Sequence, residues 1–399
     1  MLSVEKCLSS KVVRILLVVL FFRPKMFPTL KKKGNLYLPL WYIFCVEVIL
    51  LEFKNMQRIN KNSNLQIAKN KKDDEFYTTY ETIESEVAHY VSHFSGKTIL
   101  CNCDNPFKSN FCKYFLKNFN ILGLHRLICT SYCDSATIDT QLDLFNDRHE
   151  ILGKGTGYVL DVEKFSDFNG EIADEEITDF LQRVNVIRKL DGDGDFRSAE
   201  CIEYLKACDI VITNPPFSLF KEIVIEILKY HKKFLIIGNQ NAITYKEIFP
   251  LIQNNEVWTG YRFGEMKFRV PEYSKPRKYR FWVDENGQKW RSLGNAMWLT
   301  NLDNDRRHEY ISMTKTFQPS EYPKYDNYNA INVKTIRDIP YDYYGIMGVP
   351  ITIINKYNSE QFEIVGEANH GSDSEFDLFK PTIGGKEIFK RILIRRKVK

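Results

Sequence analysis

The chain has no C-x-x-C pair, no H-E-x-x-H run and no internal repeat. Its nine cysteines are an odd number, scattered through strand-like runs such as "TILCNC" and "RLICTSY". That excludes a disulfide framework and fits a reducing compartment. The seven histidines are dispersed without ligand spacing, so no metal site is expected. A large excess of one charge is missing too: the net charge is only +5 over 399 residues. The basic residues nevertheless gather in "KPRKYR" (Lys275 to Arg280) and "KRILIRRKVK" (Lys390 to Lys399). Such clusters attract phosphate backbones, although a solvated face or a loose tail explains the terminal one equally well.

What remains is ordinary for a soluble globular protein, with 44% hydrophobic and 27% charged residues, and aromatics are high at 14%. The length allows two or three domains and a sizeable core. Residues 1–60 stand apart as an apolar extension. "VVRILLVVLFF" lacks the small-residue cleavage site of a signal peptide. "LYLPLWYIFCVEVILLEF" is a marginal membrane span weakened by Glu47 and Glu52. The polar stretch opening at Met56 reads as a cytosolic start, so translation called from too far upstream is the preferred account and a cytoplasmic location is expected. Membrane association of the first 55 residues is the alternative.

Apolar strands and amphipathic helices alternate over roughly 200 residues from Lys71, which predicts a Rossmann-like α/β core with a mixed, mostly parallel sheet at residues 61–300. A helix is expected over "KKDDEFYTTYETIESEVAHYVSHF", capped by Asp73 or Asp74, with Ile83, Val87, Tyr90 and Phe94 on one stripe. Another is expected from Glu175 to Leu190. Residues 301–399 have weaker periodicity and many Tyr, Asn and Pro, and form a smaller C-terminal region. In open α/β sheets ligands bind outside the carboxyl ends of the strands. Three such ends stand out: Asp104 after "TILCNC", Asp195-Phe196, and Asn214 after "DIVIT".

"DIVITNPPFSLF" carries the chemistry. Proline has no N–H, fixes its own φ and holds the preceding residue extended. Asn214 and Pro215 are thereby held extended, so an amide oxygen and a carbonyl oxygen can converge on one –NH2 group. The exocyclic amine of adenine is such a group. Two acceptors gripping its N–H bonds localise the nitrogen lone pair and stabilise the charge that develops as it attacks. Phe217 can stack on the base. The bland alternative is a proline-rich loop that merely ends a strand.

Asn-Pro-Pro-Phe resembles the catalytic motif of S-adenosylmethionine-dependent amino-methyltransferases. More narrowly, "KKDDEFYTTYETIE", "CNCDNPFKSNFCKYF", "GDFRS", "DIVITNPPFSLF", "FLIIGNQNAITYKEIFP" and "GVPITIINKYNSEQFEIVG" resemble the EcoRI-like family of adenine-specific DNA methyltransferases, from about Asn64 nearly to the C-terminus. The resemblance implies a core that binds S-adenosylmethionine, flips an adenine out of duplex DNA and methylates N6. It implies Asn214, Pro215, Pro216 and Phe217 as the target-base pocket. Asp104 and Asn105 stand where the first strand meets the cofactor, in place of the glycine-rich motif of many methyltransferases. Asp195 and Phe196 resemble the loop that reads the cofactor's adenine ring. Phe76, Tyr77 and Thr78 resemble the segment that closes over the methionine end. Lys275, Arg277, Lys278 and Arg280 are the expected DNA contacts, and residues 301–399 the DNA-recognition region. The partner is duplex DNA. The chain is then a solitary methylase or the modification half of a restriction–modification pair, whose endonuclease shares the site without having to touch this chain.

Several signals are set aside. "DGDGDF" spaces its aspartates like a calcium loop, but Phe196 stands at the glycine position and Ile202 at the bidentate Glu. "GKGTG" lacks P-loop spacing. Cys101 and Cys103 read as packing residues, one into each helix layer. Trp258, Tyr261, Phe263 or Phe268 can face Phe217 across a flipped base. Rival substrates presenting an –NH2 are RNA adenine and a protein glutamine amide; a non-catalytic nucleic-acid-binding protein is the rival from another class.

Overall fold

Short apolar runs bounded by polar turns set the frame. The computed structural model describes residues 31–32, 35–36, 76–106, 109–132, 157–163, 172–182, 186–272, 274–368 and 381–398. The chain divides into two units, residues 1–69 and 70–399. In the first, the described residues form one antiparallel ladder, Lys31–Lys32 with Asn35–Leu36. The two apolar N-terminal runs otherwise lie outside the described residues, as do Asp73, Asp74 and the "GKGT" turn. Among the described residues no helix is long and apolar enough to cross a membrane, and no group of His, Cys, Asp or Glu is arranged to hold a metal ion.

The second unit runs β1 (Tyr77–Thr78), α1 (Tyr80–Val87), β2 (Thr98–Asn102), α2 (Asn110–Lys117), β3 (Arg126–Ser131), β4 (Tyr158–Val162), α3 (Asp174–Gln182) and β5 (Ile187–Lys189). It continues through α4 (Ala199–Ala207), β6 (Ile210–Thr213), α5 (Phe220–Lys229), β7 (Lys233–Asn239), α6 (Phe249–Gln253), β8 (Trp258–Arg269), β9 (Phe281–Val283) and β10 (Lys289–Thr300). Ten strands form one sheet in the order β1-β8-β10-β7-β6-β2-β3-β4-β5, with β9 added to β10. The Rossmann-like α/β arrangement and the mixed sheet are as the sequence predicts. The sheet is not mostly parallel as expected, however: parallel pairing is confined to the central β3-β2-β6-β7. Every ladder outside that centre is antiparallel.

The centre is parallel because its strands are buried on both faces, as the unbroken burial of "TILCN" and "IVIT" shows. Side chains alternate between two apolar layers: Leu100 and Val211 enter one, Ile99, Cys101, Ile210 and Ile212 the other. Cys101 and Cys103 do face different layers. Plain alternation would put them on the same face, but Cys103 leaves the strand with φ of +72°, which turns it over.

Two helices are shorter than their periodicity suggests. Ile83, Val87, Tyr90 and Phe94 are all fully buried, as the stripe requires. The helix nevertheless begins at Tyr80, where the Thr79 hydroxyl accepts from the Thr82 N–H at 3.2 Å; such a cap contributes about 1 kcal/mol. Upstream, Tyr77 and Thr78 pair with Arg269 and Phe268 of β8, so the segment is extended. The second helix ends at Gln182. The β-branched stretch after it pairs with β4, a long-range ladder that overrides helical spacing.

The C-terminal region adds a four-stranded sheet, β11 (Ile331–Asn332), β12 (Met347–Pro350), β13 (Phe362–Ala368) and, after the short hairpin β14 (Thr382–Ile383) and β15 (Lys386–Glu387), β16 (Arg391–Arg396). Ile331, Met347, Phe362 and Ile392 share one apolar cluster with Val211, Phe234 and Ile236 of the large sheet. Gln253 of α6 donates to the carbonyls of Ile364 and Val365 at 3.3 and 3.0 Å.

Helix α1 is tied to β8 by a buried carboxylate. The ladder between β8 and β10 is irregular between Thr259 and Phe263. Two amides freed there are capped by Glu86: Oε1 accepts from Tyr261 N–H at 2.6 Å and Oε2 from Arg262 N–H at 2.7 Å. The Tyr90 hydroxyl also donates to Oε1, at 3.0 Å. Gly260 leaves the room; a Cβ there would lie 2.5 Å from that of Trp298. Burial raises the Glu86 carboxyl to about 7 against the donors that lower it. Glu86→Gln keeps the shape but turns an NH2 group toward one of these donors, leaving a buried N–H unmet. Urea unfolding at pH 8 should show a loss of about 1–3 kcal/mol; an unchanged midpoint would remove Glu86 from this role.

Candidate active site

Strands β2 and β6 are parallel neighbours, but the chain leaves them in opposite directions, to β3 on one side and to β7 on the other. Such a reversal opens a crevice outside the carboxyl ends of the strands. Asp104 and Asn214 both stand there, two residues and one residue beyond β2 and β6.

The strand β6 is fully buried, and two prolines follow Asn214, so its backbone cannot drift. Its amide is held from one side. Nδ2 donates to the Phe76 carbonyl at 2.6 Å and to the Thr78 hydroxyl at 3.1 Å. Oδ1 is buried and has no hydrogen-bond partner. The Pro216 carbonyl accepts from Leu219 N–H at 2.9 Å, closing the short 3-10 turn Phe217–Leu219. Among the described residues no hydrogen bond reaches the Pro215 carbonyl.

Asp104 is joined to the same strand. Its Oδ2 lies 2.6 Å from the Thr213 hydroxyl and its Oδ1 accepts from Ser109 at 2.8 Å. Burial raises its carboxyl to about 7, opposed by these two hydrogen bonds. The Thr213 hydroxyl also contacts the Asn102 carbonyl. One hydroxyl has one proton, so Thr213 donates either to the Asp104 carboxylate or to the Asn102 carbonyl, not to both at once. Asn105 is half-buried, and its carbonyl accepts from Ser109 N–H at 2.8 Å. Asn102, which sequence reasoning missed, has a second buried acceptor without a partner, Oδ1. It lines a small cavity with Thr130, Phe196 and Cys201.

The loop with Asp195 and Phe196 is pressed against the end of β3. Gly194 has φ of +79°, and a Cβ there would strike the Ser131 carbonyl; Gly157 would meet Gly194 at 2.7 Å. Phe196 is buried in the apolar layer. Asp195 is gripped by Arg197, whose Nε lies 2.9 Å from Oδ1, and that contact holds the carboxyl below its usual range.

The remaining residues sit on an overhang. Asn239, the last residue of β7, pairs with Ala296, and Arg269 of β8 pairs with Trp290. Residues 289–295 and the end of β8 therefore run past the carboxyl edge of the parallel strands, and β9 joins them as a third strand. Edge strand β1 pairs there, which brings Phe76, half-buried Tyr77 and buried Thr78 to Asn214. The Thr78 carbonyl accepts from Asn110 at 2.7 Å.

Phe217 lies against Phe76, ring centroids 5.3 Å apart and 22° from parallel. Of the four aromatics considered as its counterpart across a base, only Phe268 comes near. It meets Phe76 edge-on at 5.4 Å and is fully buried. Tyr261 stacks on His89, Trp258 carries the Arg307 guanidinium, and Phe263 packs on the apolar core.

The loop from β8 to β9 presents Lys275, Arg277, Lys278 and Arg280, all exposed. Lys289 anchors it through the Ser274 carbonyl at 3.3 Å. Arg280 differs from the others: its φ is +57°, and its guanidinium covers Gly294 of β10. The structure thus bonds Phe76 and Thr78 to Asn214, ties Asp104 to the adjacent Thr213, and sets Phe196 against the neighbouring cavity and the basic loop on the overhang. Thr213 and Asn102 went unnoticed because hydroxyls and amides inside apolar strands read as strand filler.

The chain matches the family described as adenine-specific methyltransferase EcoRI over residues 64–397. It is 44% identical over 351 residues to the type II methyltransferase M.EcoRI of Escherichia coli, spanning 86% of this chain and 99% of that one. It is 36% identical over 304 residues to M.MpnI of Mycoplasma pneumoniae, spanning 75% and 83%. Overlap with solved structures is slight: the precorrin-6y C5,15-methyltransferase of Geobacter metallireducens superposes with a TM-score of 0.27 at 12% identity, over 57% of this chain and 93% of that one. With more than four-fifths of its length matched in order, the chain belongs to the EcoRI family of adenine-specific methyltransferases.

Proposed function

We propose that this chain methylates N6 of an adenine turned out of duplex DNA at one short sequence, with S-adenosylmethionine as donor, either alone or as the modification partner of a restriction endonuclease. One observation carries the reading: Asn214 Oδ1 is buried and unpartnered while its Nδ2 is fully engaged. An acceptor held in that state is made for an N–H. The Pro215 carbonyl beside it is the second acceptor, and both are fixed before substrate arrives. They draw on the two amine hydrogens, raise the nucleophilicity of N6, and stabilise the charge that grows as it attacks. Phe217 supplies the stacking face.

The residues at the ends of β2 and β3 fit the donor. The unpartnered Asn102 Oδ1, the Asp104 carboxyl and the Phe196 ring offer acceptors for amine and hydroxyl groups and an apolar wall. When bound, S-adenosylmethionine supplies a methyl on a sulfonium, which needs no metal and no strong base. Lys275, Arg277, Lys278 and Arg280 meet the phosphates, and residues 301–399 take part in reading the bases.

Sequencing of methylated bases in DNA from cells expressing the protein should reveal N6-methyladenine at a single short motif; unmodified adenine throughout would overturn the proposal. Asn214→Ala should lower kcat by about 10²- to 10³-fold, the scale of losing one preorganised contact to developing charge, and leave cofactor affinity nearly intact. Near-normal turnover would remove Asn214 from the chemistry.

Asp104 gives a pH dependence. Its folded value of about 7 lies above the ordinary carboxylate value. By linkage its contribution to the stability of the ligand-free protein is complete in acid, below its ordinary value, and lost as pH rises through 7. Ionised Asp104 is the better acceptor for the cofactor, so cofactor affinity should rise across the same window, and Asp104→Asn should flatten both profiles. Calorimetric titration between pH 6 and 8 checks it; a parallel slope in the variant would assign the effect elsewhere.

Replacing Lys275, Arg277, Lys278 and Arg280 together by Ala should weaken binding to all duplexes and flatten its salt dependence, with site preference kept, because phosphate contacts position while base contacts specify. Fluorescence titrations at several salt concentrations decide it, and an unchanged slope would make the cluster a solvated surface.

A further inference from the structure

One face of Phe217, the ring proposed to stack on the target base, is already covered. The Phe76 ring lies on it, with centroids 5.3 Å apart and planes within 22°. Slipping a base between two rings requires roughly 7 Å, twice the contact distance of carbon atoms. The two rings cannot both stay where they are and admit an adenine. The backbone of residues 76–78, in contrast, is pinned. The Phe76 carbonyl accepts from Asn214, Tyr77 and Thr78 pair with β8, and the Thr78 carbonyl accepts from Asn110. Withdrawing this backbone would release the amide that the chemistry depends on. The Phe76 side chain is half-buried, and its rotation would open the slot without moving this backbone.

We propose that Phe76 is a plug: in the base-free protein its ring occupies the seat of the target adenine on Phe217, and the adenine displaces it by side-chain rotation alone. This rests on the reading of Asn214 and Phe217 as the base pocket. The Phe76 backbone orients Asn214 while its side chain fills the slot, so one residue keeps the acceptor aimed and the apolar face dry until a base arrives. Arg291 takes part. Its guanidinium lies over the Phe76 ring, 4.9 Å from the centroid, and Phe268 closes an edge at 5.4 Å. A planar ring against a guanidinium and a phenyl is the environment an adenine would enter. The plug also sets selectivity. A base must offer at least the stacking that Phe76 gives up, which favours a purine over a pyrimidine.

The test places 4-fluorophenylalanine at position 76 of the full chain and follows its ¹⁹F resonance. The duplex carries the site identified by methylation sequencing, and the control is the same duplex with the target position abasic. Stacked on Phe217, the fluorine feels that ring's current. The resonance should move with the target duplex and stay with the abasic one, which binds but delivers no base. A resonance unmoved by both, or moved equally by both, overturns the proposal. A second measurement uses 2-aminopurine at the target position and the rate of its fluorescence rise on mixing. Phe76→Ala should speed that rise several-fold; a residue that merely packs would leave it unchanged or slower, and that result also counts against the plug. If no site is methylated in cells, the reading of the pocket fails by itself. If a site is methylated and the fluorine does not respond, only the plug fails.

Discussion

The ligand edge depends on an amide that can face only one way. Asn214 has two donors and one acceptor oxygen, and both donors are taken by residues 138 and 136 positions earlier in the chain. Those partners exist at that place because β1 pairs with the end of β8. That ladder exists because β8 and β10 overrun the parallel strands. Remove the overhang and Asn214 becomes a freely turning side chain at the end of a buried strand. A hydrogen bond of this kind contributes only about 1 kcal/mol to stability. Its value here lies in direction, since an acceptor that must be reoriented at the moment of reaction gives away what preorganisation supplies.

How far the sequence discloses this depends on the range of each interaction. The parallel centre was legible because each strand is an unbroken apolar run, and burial on both faces is a property of the run itself. "DIVITNPPF" was legible for the same reason: strand, amide and prolines are contiguous. The start of α1 was not. "KKDDEFYTTY" carries caps and helical spacing, yet Tyr77 and Thr78 answer to residues 268 and 269, about 190 positions away. Within the helix expected at Glu175 to Leu190, Ile187–Lys189 is instead a strand, because it pairs with β4. Pairing at that distance has no local signature. The overhang is hidden likewise, because the twelve-residue strand Lys289–Thr300 pairs with β8 and β7, and pairing of that kind has no local signature.

The candidate site divides along the same line. The places of Asn214 and Asp104 at strand ends, and of Phe196 in its loop, are legible in the sequence. Their partners, Thr213, Asn102 and the Phe76 carbonyl, are not, because a threonine inside an apolar strand and a backbone carbonyl are unremarkable until the fold sets them against a carboxylate or an amide. Composition pointed correctly to the basic loop as a cluster but not to its parts. Arg280 is folded onto Gly294, so its head group belongs partly to the ribbon, whereas Lys275, Arg277 and Lys278 project from it.

The two unpartnered acceptors at the ends of β2 and β6 connect stability with recognition. A buried oxygen without a donor costs about 1–3 kcal/mol, and the ligand-free protein carries this cost at Asn102 and at Asn214. On the proposed reading, a ligand that brings N–H or O–H to these oxygens relieves the cost. If Asn214 receives the base as proposed, this separates the bases by chemistry before shape is considered. Adenine presents two N–H bonds at its exocyclic nitrogen. Guanine and thymine present a carbonyl at the equivalent edge, and would set oxygen against oxygen while leaving the original deficit in place. Cytosine also carries an amine, so the acceptor alone cannot reject it. Its smaller ring covers less of Phe217, which leaves the discrimination between the two amines to stacking area. On the proposed reading, an unmet acceptor beside an aromatic wall selects an amine on a purine, and it does so with groups fixed in place where the strand ends at Asn214.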